Sequence, residues 1–236
     1  MEIKIDIWSD YACPFCFIGK KNLEKAIAQF SEPEQIQVRY RSFQLDPDAK
    51  GTPMNQQEIA QKRGMTVEAL AAGQKYLTEK AKKVGLDLHF DTIINANTMD
   101  SHRLGHYAAT KGKEGEMTER LLHAYLADSL NIADRDTLVS LASDVGLDKT
   151  EVLNVLESDA YKEQVVADIQ ESRERNITGV PYFVFNGKYA LSGAQPASVF
   201  LKLLNKVRKE DENQDGKGAN QARNGDTCTD GSCNLN

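Results

Sequence analysis

The sequence predicts an α/β fold in which one small sheet domain is built from two separated pieces of chain, with an all-helical insertion between them and a flexible C-terminal tail. Three observations predict it. Strand-period alternation is confined to residues 3–41 and 182–191, helical spacing fills the stretch between, and aliphatic residues nearly vanish after Val207. A chain of 236 residues can bury a sizeable core without disulfide staples.

Ile3, Ile5 and Ile7 alternate with Lys4 and Asp6, the period of a half-buried strand. Residues 10–12 read as a turn, and Pro14 suits the first position of a helix, where its missing N–H costs nothing. Leu23, Ala26, Ile27 and Phe30 continue that helix toward a stop at Pro33, and Ile36, Val38 and Tyr40 mark a second strand. From about Pro47 to Asn176 the pattern is helical. Segments 56–64, 67–84, 97–110 and 116–130 are followed by one around Leu138 to Val145, one opened by Asp148 with Glu151 as a capping box, and one over 160–175. Strand signals return at 182–185. Asn186-Gly187 then predicts a hairpin into 189–191, because both turn positions take positive φ. Val199, Leu203 and Val207 stripe a closing helix, and the polar run 209–226 reads as a flexible linker. The boundaries are 1–46 with 177–208 for the sheet domain, 47–176 for the insertion and 209–236 for the tail.

Composition narrows the function. A net charge of -6 and a pI near 5.3 argue against a nucleic-acid-binding surface. No stretch approaches the ~20 apolar residues of a membrane span. Residues 1–6 alternate like a strand where a leader would carry a long apolar run, so the cytoplasm is the expected location. The oligomeric state is left open, with a monomer favoured.

The four cysteines fall into two close pairs, Cys13/Cys16 and Cys228/Cys233. In a reducing compartment such pairs are catalytic or metal-binding more often than structural. Cys13-Pro14-Phe15-Cys16 stands at a helix start, where unpaired N–H groups and the helix dipole favour the thiolate, the nucleophile of disulfide exchange. Two intervening residues bring the sulfurs within bridging range. Cys13, outermost, would attack a substrate disulfide, and Cys16 would resolve the mixed disulfide. Phe15 adds no charge and no hydrogen bond, which predicts a moderate potential rather than the ~-120 mV of a strong oxidant. The competing reading is a zinc knuckle, but those carry Gly in a loop rather than Pro and Phe at a helix start. His102 and His106, four apart on a helix, lack the Glu that a zincin motif needs, and no metal site is expected.

Val180-Pro181 precedes the Tyr182 strand. A cis peptide there would leave the Val180 backbone free to pair with an extended substrate, so Pro14, Phe15, Val180 and Pro181 are the expected substrate contacts.

With these residues in view, the chain resembles the DsbA-like thioredoxin superfamily, in particular its cytosolic FrnE-type branch. The carrying segments are Ser9-Asp10-Tyr11-Ala12-Cys13-Pro14-Phe15-Cys16-Phe17-Ile18-Gly19, Gly179-Val180-Pro181-Tyr182-Phe183 and Ser192-Gly193-Ala194-Gln195, and the resemblance spans about residues 2–208. It implies a thioredoxin-like fold whose helical insertion covers the active-site cleft, and thiol–disulfide exchange with protein thiols and disulfides. Glutathione or a thioredoxin-type reductant would be a redox partner, and no cofactor is implied. The branch also holds glutathione-dependent hydroxychromene-carboxylate isomerases and kappa-class glutathione transferases. Those typically carry Ser at the position of Cys13, which favours disulfide exchange here over small-molecule isomerisation or transfer.

The resemblance further suggests that Asn97 and His102 line the cleft, a packing role being the alternative. It also matches Cys228/Cys233 to a second, tethered dithiol. A linker of about 19 residues spans roughly 25 Å in root-mean-square terms, enough to cross a domain face. Tyr11 and Phe17 flank the dithiol as expected apolar contacts for unfolded substrates.

Overall fold

The computed structural model describes residues 2–221, so Cys228 and Cys233 lie outside the described residues. The sheet domain opens with β1 (Ile3–Ser9), α1 (Pro14–Ile27) and β2 (Ile36–Ser42) and finishes with β5 (Tyr182–Phe185), β6 (Tyr189–Ser192) and α9 (Ala197–Gln221). Between them lie β3 (Thr52–Pro53), α2 (Gln56–Lys62), α3 (Val67–Lys82), β4 (Ile94–Asn95), α4 (Met99–Thr110), α5 (Glu114–Leu126), α6 (Arg135–Asp144), α7 (Lys149–Glu157) and α8 (Lys162–Glu174). The sheet runs β2-β1-β5-β6. β1 is parallel to β2 and antiparallel to β5, and β5 is antiparallel to β6. This is the thioredoxin-like arrangement.

Side-chain alternation places the layers. Ile3, Ile5 and Ile7 bury one face of β1 together with Phe183 and Phe185, and α1 and α9 cover it with Leu23, Phe200 and Leu204. Trp8 and Val184 point to the other face, packed with Ile177. There the Trp8 indole N–H donates to the Asp168 carbonyl at 3.1 Å. The hairpin turn has φ of +48° at Asn186 and +66° at Gly187, and Phe185 pairs with Tyr189 across it.

Three local details differ from the sequence reading. The insertion is helical except for one short ladder, Thr52 with Asn95 and Pro53 with Ile94. A two-residue strand has no period to read, and its partner is distant in sequence. Asp148 caps α7 by accepting the Glu151 N–H at 2.9 Å, but the reciprocal half of a capping box is missing. The Glu151 carboxylate turns instead to the Tyr107 hydroxyl and to Lys111, the latter at 2.8 Å. The full box belongs to α2, where Asn55 and Glu58 exchange both bonds. Finally, α9 continues to Gln221, through residues read as the start of the linker. Contacts support its first turn past Val207. Glu210 accepts from Lys188 and the Tyr189 hydroxyl, both at 2.6 Å, and Arg208 bonds Glu212 one turn on. Among the described residues no helix is long and apolar enough to cross a membrane.

The two pieces do not pack separately. Tyr11, Cys13, Cys16, Phe17 and Ile18 share one core with Leu104, Met117, Leu121 and Leu122 of the insertion. A polar clasp closes the same seam. Asp168 of α8, 2% exposed, accepts from the Arg41 guanidinium at 2.6 Å and the Ser42 N–H at 3.0 Å, and His106 lies 3.1 Å away. Burial opposes the charged form, but the His106, Ser42 and Arg41 interactions outweigh it and hold the carboxyl below its ordinary pKa. A depressed pKa contributes stability above the unfolded value of about 3.9 and loses it as pH falls through the folded value. Asp168→Asn therefore lowers stability by about 1–3 kcal/mol near pH 7. In denaturant titrations the gap to the parent narrows as pH drops below about 4; a gap independent of pH would contradict the clasp.

Candidate active site

The CxxC is shaped by the turn that precedes it. The Cys13 N–H bonds the Asp10 carbonyl at 3.0 Å and the Cys16 N–H bonds the Cys13 carbonyl at 3.0 Å. Cys13 is thereby held extended, φ −98° and ψ 112°, as the N-cap of α1, with Pro14 at the first helical position. Both cysteines are free thiols. Cys13 is 4% and Cys16 3% exposed.

Opposite them the Val180–Pro181 peptide is cis, and the Cys13 thiol faces the Val180 carbonyl at 3.5 Å. Gly19 makes this approach feasible. A Cβ there would stand 3.1 Å from both Pro181 and Phe183, so a larger residue would push α1 away from the Pro181 loop. Cys16 lies deeper, and burial first, then its hydrogen bond and charge interaction with Cys13, push its thiol pKa well up. The pair thus combines an outer sulfur beside a main-chain carbonyl with an inner sulfur whose thiol form burial favours.

Asp10 anchors the loop from behind. Its carboxylate accepts the Leu45 N–H at 2.7 Å and the Ala12 N–H at 3.3 Å. His102, 4% exposed, stacks on Tyr11 with ring centroids 4.7 Å apart. Its Nε2 lies 3.0 Å from the Phe43 carbonyl, which can only accept, so that nitrogen carries the proton. The Asp10 carboxylate is 3.5 Å from the same atom. Asn97 bonds the Gln44 amide, the Pro47 carbonyl at 2.6 Å and the Met99 N–H at 2.9 Å. Both residues therefore brace the segment 43–47 that follows β2, and neither bonds Cys13 or Cys16 in any contact the structure records. His106, four residues on, pairs with Asp168 and Ser42.

Tyr11 and Phe17, expected as apolar contacts for unfolded substrates, are both buried in the core shared with the insertion. A Cβ on Gly105 of α4 would sit 2.4 Å from the Tyr11 hydroxyl, which shows how closely the insertion grips this ring. Aromatic residues flanking a motif reveal nothing of which side they face. Phe15 is 37% exposed, and Leu45 is exposed as well. Of the expected site residues, the structure gathers Cys13, Cys16 and Val180 with Pro181. Asp10 carries the loop, a role the sequence does not signal, because a lone Asp before a CxxC has no distinctive spacing.

Comparison with known proteins gives a consistent picture. The description DSBA-like thioredoxin domain matches residues 4–205. The chain is similar to a solved probable DsbA oxidoreductase from Streptomyces coelicolor, with TM-score 0.83 and 36% identity over 89% of this chain and 91% of that one. It is 29% identical over 214 residues to the protein YwbO of Bacillus subtilis strain 168, covering 89% of this chain and all of that one. The cytosolic disulfide reductase DsbM from Pseudomonas aeruginosa, solved with glutathione, shares the fold at TM-score 0.59 and 18% identity, over 87% of this chain and 99% of that one.

Proposed function

The chain belongs to the DSBA-like thioredoxin domain family, and on that premise we propose that it exchanges disulfides with protein substrates through Cys13 and Cys16. The observation that carries this reading is the free Cys13 thiol at the N-cap of α1, 3.5 Å from the Val180 carbonyl. Cys13 attacks one sulfur of a substrate disulfide and releases the other as thiolate. Cys16 then attacks Cys13, freeing the second substrate sulfur and leaving the oxidised pair. An extended substrate chain would take over the Val180 backbone by strand-like pairing, with Phe15 as its apolar contact and Pro14 and Pro181 shaping the approach.

Glutathione is the second partner in this reading, either recharging the pair or serving as the substrate itself. The narrow access to Cys13, 4% exposed, favours a small flexible disulfide, and DsbM was solved with glutathione. Cys228 and Cys233 act as a second dithiol on the tail, and a tether can raise its effective concentration at Cys13 to ~mM. The cytoplasm, with a reducing thiol pool, is the proposed setting.

Turnover assays separate these roles. Insulin reduction and scrambled-ribonuclease refolding by the full chain establish a protein substrate; activity only on a glutathione mixed disulfide assigns a small one. Cys228→Ser with Cys233→Ser lowers turnover if the tail relays electrons and leaves it unchanged otherwise.

A further inference from the structure

Three segments meet at one end of the sheet. β1 and β2 are parallel, so the loop after β1, residues 10–13, and the segment after β2, residues 43–47, leave the same end. Tyr182 of β5 pairs with Trp8, which brings Val180 and Pro181 to that end as well. Ligands of such sheets sit outside the carboxyl ends of the parallel strands. Because β1 lies between β2 and β5, the 43–47 segment flanks the Cys13 loop on the side away from Val180. The exchange described above uses the Val180 side and gives the 43–47 segment no part.

That segment is held at every residue. The Phe43 N–H bonds the Ser9 carbonyl at 3.1 Å, and His102 donates to the Phe43 carbonyl at 3.0 Å. The Gln44 amide donates to Asn97 at 3.2 Å, the Leu45 N–H to the Asp10 carboxylate at 2.7 Å, and Asn97 in turn to the Pro47 carbonyl at 2.6 Å. Lys62 and the Asn95 amide, the latter at 3.0 Å, engage the Asp46 carboxylate. Leu45 and Pro47 are the two exposed residues of the segment, and Leu45 is 50% exposed. Backbone fixed in advance has little freedom left to lose on binding, so a hydrophobe presented on it makes a more favourable contact than one on a loose loop. The Asp10 that holds Leu45 also accepts the Cys13 N–H through its carbonyl, at 3.0 Å. Two nitrogens bonded to one aspartate lie within about 10 Å of each other.

We propose that Leu45 is a specificity-determining residue of the exchange, and that it receives an aliphatic side chain two residues from the reacting cysteine of a protein substrate. The proposal rests on the dithiol reading above and adds what that substrate carries. Residues two apart in an extended chain share a face and stand about 7 Å apart. A substrate cysteine turned toward Cys13 therefore turns the residues two before and two after it toward the protein. That span and the length of a leucine side chain cover the distance to Leu45. Leu45 takes no part in the bond changes, which stay with Cys13 and Cys16.

Two blocked peptides test this, each with a single cysteine held as its mixed disulfide with thionitrobenzoate. One carries Leu two residues before and two residues after the cysteine, and the other carries Ser at both places. The reduced full chain with Cys228→Ser and Cys233→Ser is mixed with excess peptide, and the second-order rate of thionitrobenzoate release is read. With Leu45 in place the Leu peptide reacts about 10-fold faster than the Ser peptide. Leu45→Ser brings that ratio close to one, and Leu45→Met restores most of it. A structural defect slows both peptides alike and leaves the ratio unchanged, so the ratio separates recognition from folding. Equal rates for the two peptides with Leu45 in place, or an undiminished ratio in Leu45→Ser, overturn the proposal. No release from either peptide would instead sink the dithiol reading, and the role of Leu45 with it.

Discussion

Cys13→Ser abolishes disulfide turnover, by about 1,000-fold or more, without loss of stability. The reason lies in one position serving two roles. As nucleophile, Cys13 needs a sulfur that can become a thiolate beside the Val180 carbonyl, and a hydroxyl cannot. As the residue capping α1, it makes no side-chain cap bond, whereas Ser is among the best N-cap residues. The substitution therefore separates chemistry from folding: the melting temperature stays level or rises while insulin reduction falls to background. Retained turnover with an unchanged fold would move the chemistry away from Cys13.

Arg103→Ala produces the largest loss of stability we expect from a single side chain, about 3–5 kcal/mol. Arg103 of α4 is 4% exposed, and its guanidinium closes the C-terminal end of α7. Its Nε donates to the Ala160 carbonyl at 2.8 Å, one terminal nitrogen bonds Asp100 at 2.7 Å, and the other reaches the Val155 and Ser158 carbonyls. The last carbonyls of a helix have no partner of their own and carry the negative end of its dipole, so a buried cation there serves both needs. Truncation leaves three carbonyls and Asp100 short of a donor. For a chain of this size the loss corresponds to a fall of about 10 °C in melting temperature. Arg103→Lys restores only part of it, because one ammonium cannot span the fork. A shift below about 2 °C in Arg103→Ala would contradict this account.

Where a signal is local, the sequence carried it. Pro14 after Cys13 and the Asn186-Gly187 pair each declare their structure through the φ angles and hydrogen bonds of two or three residues, and both stand where expected. Alternation in Ile3 to Ile7 likewise predicted the face that α1 and α9 cover. What the sequence could not show depends on contacts between distant residues. The ladder of Thr52 and Pro53 with Asn95 and Ile94 is too short for a period. The burial of Tyr11 and Phe17 follows from the insertion folding over them, which no flanking residue records. His102 and Asn97, named for the cleft, brace the loop through Phe43, Gln44 and Pro47, a segment whose position depends on where β2 ends. The continuation of α9 just past Val207 goes with Glu210 meeting a hairpin that the sequence places but cannot orient.

The central claim is that Cys13 is the attacking sulfur and Cys16 the resolving one, and trapping tests it most directly. With Cys16→Ser, and with Cys228→Ser and Cys233→Ser to leave a single thiol, the full chain is exposed to a disulfide-bonded protein substrate. After proteolysis the cross-linked peptide is identified by mass. The account predicts a persistent mixed disulfide on Cys13, and none when Cys13→Ser is combined with an intact Cys16. A stable adduct on Cys16 in that second protein, or no adduct in the first, would contradict it.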